Sequence, residues 1–196
     1  MRIGVLALQG AFIEHIRKLG DLGLTATEVR LPRDLQRLDG LIIPGGESTA
    51  IGKLMAGYGL MEPIREFAGQ HAVWGTCAGM IVMAREIGPE QPLLGLMDIA
   101  VERNAFGRQI DSFEEPLTVV GLPEGATRPF PGIFIRAPRL VHARGAARVI
   151  ARLANGTAVA AVEGKWLATS FHPELSNDLR FHEYFVDLAR SCYSGK

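Results

Sequence analysis

The sequence predicts an α/β fold: a doubly wound, mixed but mostly parallel sheet flanked by helices. Two observations carry this expectation. Short segments that are apolar throughout, as strands covered by helices on both faces must be, alternate with stretches of helical period. Turns rich in Gly and Pro close several of these segments, at the strand ends where α/β sheets build their sites.

The elements follow in order. Residues 3–8, Ile-Gly-Val-Leu-Ala-Leu, form the first strand, and Gln9-Gly10 turns the chain. Phe12, Ile16 and Leu19 share one face of a helix that ends within residues 20–23. Strands are expected at 25–29 and 41–43. Pro44-Gly45-Gly46-Glu47-Ser48-Thr49 follows, with Ser48 or Thr49 placed to cap a helix through Ile51, Leu54 and Met55. A helix at 61–68 and a buried strand at 72–74 come next, then a helix at 80–84. Pro89 to Pro92 reads as a loop. Short strands are expected at 99–102, 117–120, 133–136, 149–151, 158–162 and 166–169. Asn155-Gly156 and Glu163-Gly164 supply hairpin signals. Phe181, Tyr184, Phe185, Leu188 and Ala189 repeat with helical period and close the pattern. With no repeat, low-complexity tract or linker, residues 1–196 are expected to form one domain, the later strands adding antiparallel to the same sheet.

Composition narrows the function classes. The chain has 196 residues, 47% of them hydrophobic, and Lys+Arg and Asp+Glu both total 21. A balanced charge gives no footprint for nucleic acid or a membrane surface. No apolar run approaches the ~18 residues of a membrane span. Residues 1–10 read as a strand and not as a signal peptide. Two cysteines, Cys77 and Cys192, make no disulfide framework, and no Cys/His spacing suggests a metal site. The expected compartment is the cytoplasm, where thiols stay reduced.

The chemistry centres on Gly75-Thr76-Cys77-Ala78-Gly79, between a strand and a helix. Gly-x-Cys-x-Gly in that setting is a nucleophile elbow carrying sulfur. A sharp turn leaves no room for β-carbons on either side of the nucleophile. The start of the following helix offers free N–H groups and partial positive charge to an anion.

A nucleophilic thiol needs a base, and the base needs an orienting group. Of the five histidines, His15 and His182 fall on helices and are read as solvent-facing. His71 precedes the strand of Cys77 and so lies at its far end. His142 falls in a basic loop and stays open as an alternative. His172 follows an apolar strand and therefore shares the carboxyl edge with Cys77. Pro173 pushes His172 towards an extended conformation. Residues i and i+2 of an extended segment point to one side, so Glu174 can hold one ring nitrogen while the other faces Cys77. The Pro44–Ser48 turn lies at the same edge. Its Gly46 N–H and the Ala78 N–H are candidates for a two-donor oxyanion hole.

Together these residues resemble the class I, or triad, glutamine amidotransferases. Leu8-Gln9-Gly10, the Pro44–Thr49 turn, Val101-Glu102-Arg103-Asn104-Ala105-Phe106-Gly107-Arg108-Gln109 and Phe134-Ile135-Arg136-Ala137-Pro138 extend the match. They are similar to the branch whose members are glutaminase subunits of pyridoxal 5′-phosphate synthases. The resemblance implies that Cys77 attacks the side-chain amide of L-glutamine, that His172 moves the proton, and that Glu174 orients His172. It implies a glutamine site made by Gly46, Glu47, Ser48, Arg103, Ile135 and Arg136. No cofactor is implied. The implied partner is a synthase subunit that receives the ammonia, docking near Gln9 and Gly10 where ammonia must leave. A glutaminase of another biosynthetic complex, such as histidine biosynthesis, is the alternative, and the Leu8-Gln9-Gly10 and Glu102-Arg103-Asn104 motifs argue against it.

Overall fold

The computed structural model describes residues 1–88, 90–103 and 112–192. Pro89 of the expected loop, and Asn104 to Gln109 of the longest motif, lie outside them.

Ten strands form one mixed sheet, and its centre positions the site. β1 (Arg2–Leu6), β2 (Thr25–Val29), β3 (Gly40–Ile43), β4 (Ala72–Thr76) and β12 (Trp166–Thr169) run parallel in the order β2-β1-β3-β4-β12. β11 (Ala158–Glu163) continues the sheet antiparallel to β12 and pairs with β10 (Arg148–Arg152) and β9 (Arg139–Ala143). β6 (Met97–Glu102) and β5 (Ala84–Ile87) complete the far edge.

Both faces are covered, which is why the central strands are largely apolar, with Thr76 and Thr169 as buried polar residues at the ends of β4 and β12. Leu41, Ile42 and Ile43 of β3 have no exposed surface. Leu41 and Ile43 join the layer under α2 (Ser48–Gly57), α3 (Met61–Gln70) and α4 (Ala78–Met83). Ile42 and Trp74 join the opposite layer, under α1 (Phe12–Asp21) and α5 (Arg180–Ser191). Each such side chain contributes about 1.5–3 kcal/mol relative to an exposed one.

The second half departs from expectation in four places. β12, expected among antiparallel additions, runs parallel to β4 in the middle of the sheet. The strand expected at 117–120 ends at its start: β7 is Ser112–Leu117, and Val119 makes an isolated bridge to Ala151. β7 pairs only with β8 (Phe130–Ile135), as a separate two-stranded ribbon and not as part of the main sheet. Pro116 faces Pro131 in that ribbon, and proline gives a ladder no N–H. The ribbon instead turns Phe130 and Phe134 into the core beside Phe171. β5 and β9 are additional strands, and His142 lies on β9 and not in a loop.

Register brings the functional segments together. Ile43 stands opposite Gly75, and Thr169 opposite Thr76. Because β3, β4 and β12 are parallel, the segments that follow them leave the sheet at one edge. These are the Pro44–Ser48 turn, Cys77 and the segment bearing His172.

Candidate active site

Cys77 has φ 49° and ψ −104°, a backbone conformation that L-residues rarely adopt. Such a residue costs on the order of 1–3 kcal/mol and persists only where its surroundings enforce it. Two contacts do so here. The Cys77 N–H donates to Thr169 O at 2.7 Å, tying the turn to β12. At Gly79, a β-carbon would lie 2.0 Å from the Ile43 carbonyl oxygen, so only glycine lets α4 approach β3 this closely.

His172 stands across the edge from Cys77. Its backbone N–H donates to Ile133 O at 2.8 Å, and its ring lines the same cleft as Cys77. Gly45 packs against both: a β-carbon there would lie 2.5 Å from His172 Cε1 and 3.4 Å from Cys77 Cβ. His172 Nδ1 meets Glu174 Oε1 at 2.6 Å, leaving Nε2 for the thiol. The chain turns after His172 through a short helical turn, Pro173–Leu175, in place of the extended run expected. The contact to Glu174 forms nonetheless. Burial alone would lower the imidazole pKa, but hydrogen bonds to Cys77 and Glu174, and their charges, outweigh it and push His172 up to about 10. Burial would likewise raise Glu174, yet the neighbouring His15 and His172 hold its carboxyl below the usual range.

A cleft of about 330 Å³ opens in front of Cys77 and His172. Gln9, Gly46, Glu47, Ser48, Ala78, Arg103, Ile135 and Arg136 line it, together with Ile81, which the sequence reading did not single out. Glu174 sits behind His172, out of the cleft. Gly10, with φ +97°, abuts Gly45.

Arg103 is held by three acceptors. Its guanidinium donates to Glu47 Oε1 at 3.1 Å, Thr49 Oγ1 at 3.0 Å and Gln91 Oε1 at 3.1 Å. Gln91 Oε1 also accepts from Ser48 Oγ at 3.1 Å and Thr49 Oγ1 at 3.3 Å. Gln91 thus anchors the glutamine-site candidates, and nothing in its loop composition marks it. Glu47, not Ser48 or Thr49, caps α2, its carboxylate accepting from the Thr49 and Ala50 N–H groups at 3.0 and 2.7 Å. The helix starts one residue earlier than the hydroxyl-cap reading requires, which places these two N–H groups within reach of Glu47.

The remaining histidines separate clearly. His142 lies 3.7 Å from Glu86 and does not line the cleft. His15 and His182, expected on solvated faces, are fully buried. Each sits on the inward stripe of its helix, His15 one turn before Leu19 and His182 one turn before Phe185 and Val186.

Residues 5–191 match the SNO glutamine amidotransferase family. The chain belongs to this family. Among curated members of the family, the pyridoxal 5′-phosphate synthase subunit PdxT of Herpetosiphon aurantiacus is 54% identical over 193 residues, spanning 96% of this chain and 100% of the relative. The protein of the same name from Deinococcus radiodurans is 53% identical over 196 residues, spanning 96% and 97%. A crystal structure described as a glutamine amidotransferase superposes with TM-score 0.90 at 50% identity, covering 96% of this chain and 98% of that one. The PurLQS structure from Thermotoga maritima shares the fold, with TM-score 0.72 at 15% identity over 95% and 97% of the two chains.

Proposed function

We propose that this chain is the glutaminase subunit of a pyridoxal 5′-phosphate synthase, working as one domain that hydrolyses L-glutamine and passes ammonia to a synthase subunit. The observation that carries the reading is that Cys77 and His172 share a cleft lined by every glutamine-site candidate, with Glu174 holding His172 from behind. In this mechanism Cys77 Sγ attacks the side-chain amide carbon. Gly46 N–H and Ala78 N–H receive the oxyanion. His172 takes up the Cys77 proton and delivers it to the amide nitrogen, and ammonia leaves a γ-glutamyl thioester. Water, deprotonated by His172, then releases glutamate and restores the thiol.

Arg103 and Arg136 suit the α-carboxylate of free glutamine, and Glu47 its α-ammonium group. They are remote from the reacting amide. Arg103→Ala and Arg136→Ala are therefore expected to raise the KM for glutamine more than they lower kcat. Steady-state kinetics showing a pure loss of kcat would remove these arginines from the binding role.

Docking of the partner is proposed to act through residues 9–11. Gly45 O accepts the Ala11 N–H at 3.0 Å, and the Glu47 N–H donates to Gln9 Oε1 at 2.8 Å. Any rotation of the Gly45–Gly46 peptide breaks the first bond, so the oxyanion donor and the docking segment move together. Glutamate release measured with and without the synthase subunit tests the reading. A rise of about 10²–10³-fold, the worth of one oxyanion donor, is expected on docking, and its loss in Gln9→Ala. A lone chain at full rate would refute the switch and leave the triad standing. Gly10→Arg is a poorer probe, because a β-carbon there would lie 1.8 Å from Gly45 O and disturb the turn itself.

The cytoplasm is the compartment proposed, because Cys77 acts as a reduced thiol. Among the described residues no helix is long and apolar enough to cross a membrane.

A further inference from the structure

Behind the triad lies a pair of histidines that the reaction above does not use. His15 from α1 and His182 from α5 meet through Nδ1 and Nε2 at 3.0 Å. His15 Nε2 lies 3.2 Å from Thr76 Oγ1 and 3.4 Å from Glu174 Oε2. Trp74 stands edge-on to both rings, with centroids 5.5 and 5.0 Å away.

The partners fix the protons. A hydrogen on His15 Nε2 can serve both Thr76 Oγ1, which accepts as well as donates, and Glu174 Oε2, which only accepts, whereas a bare Nε2 would set its lone pair against the carboxylate. Burial disfavours the charged form of both rings, so each carries a single N–H. His15 Nδ1 is then bare and accepts from His182 Nε2–H. The atom left over is His182 Nδ1, which is buried and has no hydrogen-bond partner among the described residues. A bare nitrogen belongs there, because a buried unpaired N–H is rare. Each N–H in the chain thus points towards Glu174.

A carboxylate 2% exposed needs donors at both oxygens. Oε1 has His172. The side-chain donor approaching Oε2 is His15, at a distance longer than an ordinary hydrogen bond. We propose that His15, its tautomer set by His182, is a positioning residue for the glutaminase reaction: it holds the outer oxygen of Glu174 and so aims the inner oxygen at His172. This rests on the triad reading. The titratable groups facing the cluster are Cys77, His172 and Glu174 on the catalytic side, Glu14 and Lys18 from α1, and His182 from α5. Without the donor, Glu174 takes a proton at higher pH, and the acid limb of kcat/KM moves up.

The test is glutamate release by the complex with its synthase subunit. His15→Phe keeps the ring volume and removes the donor. It is expected to lower kcat about tenfold, the low end for loss of an outer partner that orients a histidine, with KM unchanged and the acid limb at higher pH. His15→Gln restores an amide N–H near the Nε2 position and should recover most of the rate and the limb. A His15→Phe complex with unchanged kcat and limb overturns the proposal. So does equal loss in both variants with an unmoved limb, the sign of a structural role only. If neither variant folds, ¹⁵N NMR of the unaltered chain decides: Nε2–H on His15 supports the proposal, and Nδ1–H overturns it. His172→Asn in the same assay separates the two readings. Full rate there defeats the triad and this proposal with it, whereas an inactive His172→Asn beside a normal His15→Phe defeats the role of His15 alone.

Discussion

Cys77→Ser is expected to abolish glutamine hydrolysis, a loss of about 10⁶-fold if the triad acts as a unit in the way serine triads do. The change is nearly isosteric, so circular dichroism and the melting temperature should stay close to those of the unaltered chain. The reason for so large an effect is geometric. The strained backbone at Cys77 has one evident use, which is to hold Sγ at the cleft mouth beside His172. A hydroxyl in the same place keeps the geometry and loses the acidity that makes sulfur a nucleophile at neutral pH. A glutamine analogue bearing a diazo-ketone should label Cys77. Cys192 should stay unlabelled, being half-buried at the C-terminal cap of α5 with its thiol turned to Leu188 O at 3.4 Å. Label found by mass spectrometry on Cys192 alone would remove Cys77 from the mechanism.

His172→Asn comes second in size, with turnover reduced roughly 10²–10⁴-fold or more, the span attributed to a general base. Both half-reactions depend on it: first the proton given to departing ammonia, then the proton taken from water. Glu174→Gln should cost less, because the imidazole survives and only its tautomer and aim suffer. His142→Asn serves as the control. It sits on β9 by Glu86, away from the cleft, and should leave glutamate release unchanged. A His142→Asn chain as impaired as His172→Asn, or a mild His172→Asn, would show the base to be misassigned.

The residues that could be read from sequence are those whose chemistry imposes a backbone rule. Gly75 and Gly79 mark the elbow because β-carbons would strike backbone there, and Gly45 marks the turn because a side chain would strike His172. Pro173 marks the segment that carries the base, but the extended run expected there is a helical turn, Pro173–Leu175, which brings Glu174 to His172 by another route. The alternation of strand and helix gave β1, β3 and β4 for a similar reason, since strands buried on both faces have few polar positions to confuse the pattern; the parallel run of β12 was not read. Residues whose role depends on distant partners were not legible. His15 and His182 look like polar surface positions when apolar residues alone define the helix stripe; only the packing of α1 against α5 buries them. Gln91 sits in a loop without distinguishing composition and acquires its three donors from α2 and from Arg103, just past β6. β5 and β9 carry Arg85, Glu86, Arg139 and His142, which hide these short strands, one at the sheet edge and one inside it, from any hydrophobic count.

The position of β12 has a consequence for how the enzyme comes into being. It inserts between β4 and β11 in the middle of the sheet, and its Thr169 bonds Trp74 across 95 positions of sequence. Pairing between strands so far apart in the chain is slow, because a long loop must close before any contact repays it. Until that closure Cys77 lacks both the hydrogen bond that strains its turn and the histidine that serves it. A half-folded chain therefore carries an inert thiol and consumes no glutamine. The nucleophile is armed by the same event that completes the sheet.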